Sequence, residues 1–410
     1  MTRRPTEERL PAVGEEGAHA LGTFGSYQNE IYLAGLGDVV PELPADLTRL
    51  EAIAEERMPA TAFGYVAGSA GSEATARANR AALDAWRLVP RMLRDVSAPD
   101  LSVTVLGTPM PAPVALAPVG VLGIVHPDGE AAVARAAAAL GVPMVVSTAA
   151  STTLEDVAAA GGDAPRWYQL YWPKDRDLAV SFLERAAAAG YRALVLTLDT
   201  HAMGWRPRDL DNAFLPFLRA VGNQNYLADP VFLRAVGGAV DDENRLAALQ
   251  HWASVFGNPA LTWDDLGFLR EHWSGPIALK GILHPDDARR AADAGMDAVV
   301  VSNHGGRQVD GAVAALDALP AVVDAVGDRI EVLMDSGIRS GADVVKALAL
   351  GARAVLLGRP YVYGLGLAGE EGVRHVLRCL LAELELSLAL SGAARVSDVD
   401  REMLVRSGSS

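Results

Sequence analysis

Apolar and polar positions along the chain fall into a repeated unit. An alanine-rich stretch with helical period ends in glycine. One or two residues follow, and then a short aliphatic run. Four copies read AAVARAAAALG-VP-MVVST through Gly141, FLERAAAAG-YR-ALVLTLD through Gly190, DDARRAADAG-MD-AVVVSN through Gly295 and ADVVKALALG-AR-AVLLGR through Gly351. Alanine favours the helix. Glycine supplies the left-handed residue that ends it. An unbroken apolar run is how a strand buried on both faces of a parallel sheet reads.

Eight such runs occur: Val114–Pro118, Met144–Ser147, Trp167–Tyr171, Ala193–Asp199, Ile277–Lys280, Ala298–Asn303, Val332–Asp335 and Ala354–Gly358. Strands alternating with helices imply right-handed βαβ units. Eight of them predict an α/β chain closed into a (β/α)8, or TIM, barrel. A doubly wound open sheet is the competitor, but no GxGxxG turn follows the first strand. The pattern divides the chain into a flexible tail (1–25), an N-terminal helical segment (26–110, with helical period near Leu47–Tyr65), the barrel (111–400) and a C-terminal tail (401–410). Within the barrel, residues 200–262 form a long loop after strand four, a length that points to a lid or specificity element.

Composition narrows the function. The net charge of −15 disfavours nucleic acid and anionic membranes as partners. Cys379 is the only cysteine, which rules out an internal disulfide and a multi-cysteine metal site and fits a cytoplasmic location. No metal site is expected. The N-terminus has no apolar signal core, and no apolar run is long enough to span a membrane.

In a (β/α)8 barrel the chemistry sits at the C-terminal ends of the strands. Here those ends deliver Ser147, Gln169, Tyr171, Thr197, Asp199, Lys280, Ser302, His304, Asp335, Gly358 and Arg359. The loop SNHGGRQVDG (Ser302–Gly311) sets an imidazole, two glycines and a guanidinium close together. Histidine can accept a proton near neutrality, and arginine offers a fork matched to a carboxylate. MDSGIRSGAD after strand seven and LLGRP after strand eight combine glycines with arginine, as a phosphate site requires. Lys280, which ends the apolar strand in PIALKG, is either a Schiff-base nucleophile, as in an aldolase, or a fixed cation.

Taken with SYQNEIYLAGL, PRML, APVGV, YQLYWPKDRD and GWRPRDL, in that order along the chain, these motifs resemble the FMN-dependent 2-hydroxy acid oxidase and dehydrogenase family, from about Phe24 to Asp398. The resemblance is nearest to its lactate 2-monooxygenase branch. It implies that His304 is the base that takes the substrate hydroxyl proton and Asp199 the carboxylate that orients it. It implies a carboxylate clamp of Arg307, Arg206 and Tyr65, with Tyr171 on the substrate hydroxyl. On the FMN side it implies Pro118, Val119 and Gly120 beside the ring, and Ser147, Gln169 and Thr197 as its hydrogen-bonding side chains. Lys280 becomes the cation near the flavin N1, Ser302 and Asp335 neighbours of the ring and ribityl chain, and Gly337, Arg339, Gly358 and Arg359 the phosphate site.

The implied reaction oxidises an (S)-2-hydroxy acid to the 2-oxo acid with O2 as acceptor, followed in the monooxygenase branch by oxidative decarboxylation. Gly120, where many oxidases carry alanine, fits that branch. The alternative is a simple oxidase or dehydrogenase acting on a larger or aryl 2-hydroxy acid. The small Ala202 and flexible Met203, next to His201 after strand four, are expected to line the pocket and admit one. The family also implies a homotetramer or larger homo-oligomer.

Overall fold

The structure is a computed structural model that describes residues 23–407. Eight parallel strands close into a barrel. They are β1 (Val114–Leu116), β2 (Met144–Ser147), β3 (Arg166–Leu170), β4 (Leu194–Thr197), β5 (Ile277–Ile282), β6 (Ala298–Val301), β7 (Glu331–Met334) and β8 (Ala354–Leu357). Closure runs through β8 and β1, where Val355 pairs with Val114 and Leu357 with Leu116. The expected (β/α)8 barrel is therefore present. Gly141, Gly190, Gly295 and Gly351 all have positive φ after their helices, as the repeat requires.

Successive side chains of a strand point to opposite faces, and the two faces separate cleanly here. Val146, Tyr168, Leu196, Leu279, Val299, Met334 and Leu357 pack outward with the helices. Ala115, Val145, Trp167, Val195, Ala278, Val300, Leu333 and Leu356 fill the interior. A hairpin of Val103–Val105 and Thr108–Met110 stops the N-terminal end of the barrel. Its Val103, Val105, Leu106 and Met110 join the interior cluster. Thr108 Oγ1 accepts from Trp167 Nε1 at 3.0 Å, and Leu106 N donates to Glu331 at 2.7 Å.

The flanking segments depart from expectation in three places. The helical period over Leu47–Tyr65 resolves into two helices, Leu50–Arg57 and Ala60–Ala67. Pro59 forces this, because the residue before proline is driven out of the helical region, and Met58 sits at φ −84°, ψ 154°. The connection 200–262 is folded, with helices Pro207–Asp211, Gln224–Leu227, Pro230–Ala235 and Arg245–Val255. Neither terminus is wholly a tail. Residues 1–22 and 408–410 lie outside the described residues, but Phe24 and Gly25 donate their N–H groups to Glu385. At the other end, Leu404–Arg406 pairs antiparallel with Trp86–Leu88, and Met403 is buried. No described helix is long and apolar enough to cross a membrane.

Candidate active site

Continuing the inward register one step past the apolar interior gives a polar layer at the C-terminal mouth. Val145 is followed two positions on by Ser147, Trp167 by Gln169, Val195 by Thr197, Ala278 by Lys280, Val300 by Ser302 and Leu333 by Asp335. All six polar residues are buried. Ser147 Oγ donates to Gln169 Oε1 at 2.9 Å and Lys280 Nζ to Ser302 Oγ at 3.0 Å, with Asp335 Oδ2 3.3 Å from the ammonium. Burial alone would lower the Lys280 pKa, but Asp335 and Asp199 outweigh it and hold the amine above its ordinary value. A Schiff-base nucleophile must be neutral to attack, so this lysine is built as a fixed cation.

Over this layer hangs the loop after β6. His304, Gly305 and Gly306 all have positive φ, at 57°, 65° and 81°. The imidazole is thereby turned back across the mouth. Asn303 Oδ1 holds the turn by accepting from Gly306 N at 3.1 Å, and Ser302 Oγ accepts from His304 N at 3.0 Å. His304 Nδ1 lies 2.8 Å from Asp199 Oδ1, so the carboxylate accepts and Nδ1 carries the proton. Thr200 Oγ1 reaches both, at 3.1 Å from Asp199 and 3.2 Å from His304. Burial pushes His304 below the ordinary imidazole value, partly opposed by Asp199. Burial would raise Asp199, but His304, Lys280 and the hydrogen bonds it accepts hold it at about 2.

Two arginines stand beside the histidine. Arg206 is buried and donates from Nε to the Arg307 carbonyl (3.1 Å) and from one Nη to Gln308 Oε1 (2.7 Å). Burial and the neighbouring Arg307 lower its pKa to about 10, still a cation at neutral pH. Arg307 donates from Nη1 to the carbonyls of Tyr65 and Gly68, both at 2.6 Å, and its guanidinium lies 4.9 Å from the Tyr65 ring centre. Tyr171 lines the same cleft, and burial pushes its hydroxyl up to about 12, so it stays protonated.

Sequence reasoning missed Gln308, although it adjoins Arg307. Its Nε2 donates to the Asp199 and Ala202 carbonyls, at 2.6 and 2.8 Å, while its Oε1 accepts from Arg206. One amide thus ties the loop after β4 to the histidine loop. Gly204 permits the approach, since a Cβ there would lie 2.5 Å from the Arg307 carbonyl oxygen.

The cleft spans about 1150 Å³, part of it open to solvent. Besides these groups it is lined by Pro118, Val119, Gly120, Asp335, Gly337, Arg339, Gly358 and Arg359. Ser147, Gln169, Thr197, Ser302 and Asp199 are not among the residues that line it; Thr197 lines a neighbouring cleft, and Asp199 reaches the site through His304. The structure adds to three expectations. The Arg359 guanidinium is committed to the carbonyls of Val66, Gly305 and Gly68 and to Ser69, at 2.9 to 3.0 Å, so the side chain braces loops. The helix Arg359–Leu390 starts at that corner, where Pro360 has no N–H and Tyr361 N donates to the Gly358 carbonyl. Gly120 has a packing cause, because a Cβ would meet the Ala149 carbonyl oxygen at 2.6 Å. Of His201, Ala202 and Met203, only Met203 lines this cleft; His201 lines a neighbouring one.

In the polar layer at the barrel mouth, the buried donor Gln169 Nε2 has no hydrogen-bond partner among the described residues. Such a donor implies a ligand atom to satisfy it. Comparison with known proteins points the same way. The model of the FMN-dependent dehydrogenase family matches residues 54–406. An FMN-dependent alpha-hydroxy acid dehydrogenase of Schizosaccharomyces pombe is 49% identical over 391 residues, covering 93% of this chain and 96% of that protein. An L-lactate oxidase of Lysinibacillus sphaericus is 43% identical over 363 residues, covering 88% and 93%. A mandelate oxidase structure with (S)-4-hydroxymandelic acid matches with a TM-score of 0.79 at 42% identity, covering 88% of this chain and 98% of that one.

Proposed function

The chain belongs to the FMN-dependent dehydrogenase family and is an FMN-dependent oxidoreductase of 2-hydroxy acids, and from that premise we propose which residues hold the cofactor and substrate and how they act. The donor set fits a flavin mononucleotide. Gln169 Nε2 and Lys280 Nζ would face the polar edge of the ring, with Ser147, Thr197 and Ser302 in the same layer and Asp335 towards the ribityl chain. Pro118, Val119 and Gly120 would form the wall beside the ring. Arg339 and the backbone N–H groups at Gly337, Gly358 and Arg359 would hold the phosphate. Bound FMN supplies a two-electron acceptor for the α-hydrogen and its electron pair.

The residues of the chain do the rest. Arg206, Arg307 and Tyr65 hold the substrate carboxylate and limit the orientations of the α-carbon. Tyr171 donates to the substrate hydroxyl. His304 takes the hydroxyl proton on Nε2, the ring nitrogen that Asp199 leaves free. Asp199 then stabilises the imidazolium. The α-hydrogen departs with its electron pair, leaving a 2-oxo acid. With O2 as final acceptor the balance is one 2-oxo acid and one hydrogen peroxide per O2. The observation that carries this reading is the His304–Asp199 pair set between a fixed cation and two arginines.

The monooxygenase outcome rests at residue level on Gly120 alone, whose missing Cβ is also required by packing against Ala149, so we propose the oxidase outcome. The (S) enantiomer is expected. Product analysis in air tests the scheme. Equal amounts of 2-oxo acid and peroxide are expected, whereas a shortened carboxylic acid with carbon dioxide would assign the monooxygenase outcome. His304→Gln should lower kcat by about 10²–10⁴-fold; a smaller loss would remove His304 as the base. We also propose a cytoplasmic location, supported by the lone cysteine, and a homotetramer or larger homo-oligomer, supported by exposed Tyr32, Leu33, Leu36 and Val40 near the start of the described chain. Light scattering at a monomer mass would refute the assembly.

A further inference from the structure

The cleft has two unlike sides. One carries the imidazole, the arginines and the tyrosine hydroxyls. The other is apolar and is built largely by the segment after β4. Met203, Phe217 and Phe256 come from that segment, and Val121 and Ala149 from the loops after β1 and β2. All but Met203, which is largely exposed, form one surface. The Phe256 ring lies 5.4 Å from the ring of Tyr171 and 5.9 Å from that of Phe217. Phe217, Val121 and Ala149 meet at Gly222, where a Cβ would fall 2.8, 2.9 and 3.2 Å from atoms of the three.

The wall is also preformed. Trp252, buried, lies behind both phenylalanines at ring distances of 4.9 Å. Behind it the cluster extends to Tyr226 and Phe232. An aromatic face held this way loses little freedom when a ligand packs on it. A substituent of glycolate or lactate size leaves most of it uncovered, whereas a branched aliphatic or aryl group covers it. No charged side chain belongs to the wall, so a second carboxylate placed there would be desolvated without a partner. Hydrophobic pockets discriminate by about 10–200-fold per methylene-sized difference.

We propose that this wall selects 2-hydroxy acids whose C2 substituent is uncharged, apolar and larger than methyl, with Phe217 and Phe256 as its specificity residues. The inference rests on the reading of the cleft as a 2-hydroxy acid site. Its test is a series of kcat/KM values for the FMN-loaded enzyme with glycolate, lactate, 2-hydroxy-4-methylpentanoate, mandelate and malate. At least a tenfold gain is expected from lactate to the better of the two bulky acids, with malate at least tenfold below lactate. Phe217→Ala and Phe256→Ala should each cut the bulky-to-lactate ratio at least fivefold. The proposal is overturned if glycolate, lactate or malate is the best substrate, and the FMN-dependent activity then stands without it. An unchanged ratio in both variants would remove the two phenylalanines as its determinants. If none of the acids reduces the bound flavin, the reading of the site itself fails and the selectivity falls with it.

Discussion

At the scale of single residues, the polar groups at the mouth were legible because each occupies a position that an apolar barrel strand has no reason to make polar. Lys280 follows the apolar run Ile277–Leu279 and Asp335 a run of Val, Leu and Met; both are buried as a pair 3.3 Å apart. The pairing of His304 with Asp199 was not legible from spacing, since 105 positions separate them; the family resemblance supplied it. Gln308 was invisible as a positioning residue, because its partners lie on another loop. Replacing it by methionine keeps the volume and removes both sets of hydrogen bonds. KM should rise at least tenfold with a smaller change in kcat, since Arg206 loses its orientation; an equal fall in kcat and kcat/KM at constant KM would contradict this. The pH dependence follows from the imidazole. The neutral form is the base, so kcat/KM rises with pH and is lost as pH falls through the His304 pKa, which burial places below 6.5. Asp199→Asn removes the chief influence raising that pKa. The acid limb should move to still lower pH while the plateau drops about a hundredfold or more. A limb that moves upward would be inconsistent with the pairing.

At the scale of elements, the strands were legible and their neighbours less so. An aliphatic run flanked by an alanine-rich helix leaves no other reading, and all eight runs became strands within a few residues of their expected bounds. The break at Pro59 follows from proline chemistry, yet the apolar period on either side of it masked the boundary. Short three-residue strands, such as Trp86–Leu88 and Leu404–Arg406, are too brief to show a period. The loop after β4 is the element on which the site depends most. Its course past the histidine loop is possible only because position 204 has no side chain. Gly204→Ala should displace Arg206 and lower kcat/KM at least tenfold, with little change in melting temperature because the loop is at the surface. Wild-type kinetics in that variant would show that the close approach does not position the arginine.

At the scale of the whole molecule, the barrel separates stability from chemistry along its axis. The N-terminal end is a packed interior stopped by the Val103–Met110 hairpin, which the sequence did not announce because its two strands are short. Trp167 is fully buried there and bonds the hairpin through Thr108. Trp167→Ala should destabilise the fold by about 3–5 kcal/mol, read by denaturant unfolding, whereas no comparable loss is expected from substitutions at the exposed rim of the C-terminal mouth. The C-terminal mouth holds the charges, and its chemistry is the central claim. The most direct measurement is anaerobic mixing of the FMN-loaded protein with 2-hydroxy acids while the flavin absorbance is followed. Loss of the oxidised flavin spectrum with formation of an equivalent amount of 2-oxo acid, abolished or greatly slowed in His304→Gln, is the predicted result. A flavin that stays oxidised with every acid in the wild-type protein, or that is reduced equally fast in the histidine variant, would contradict it.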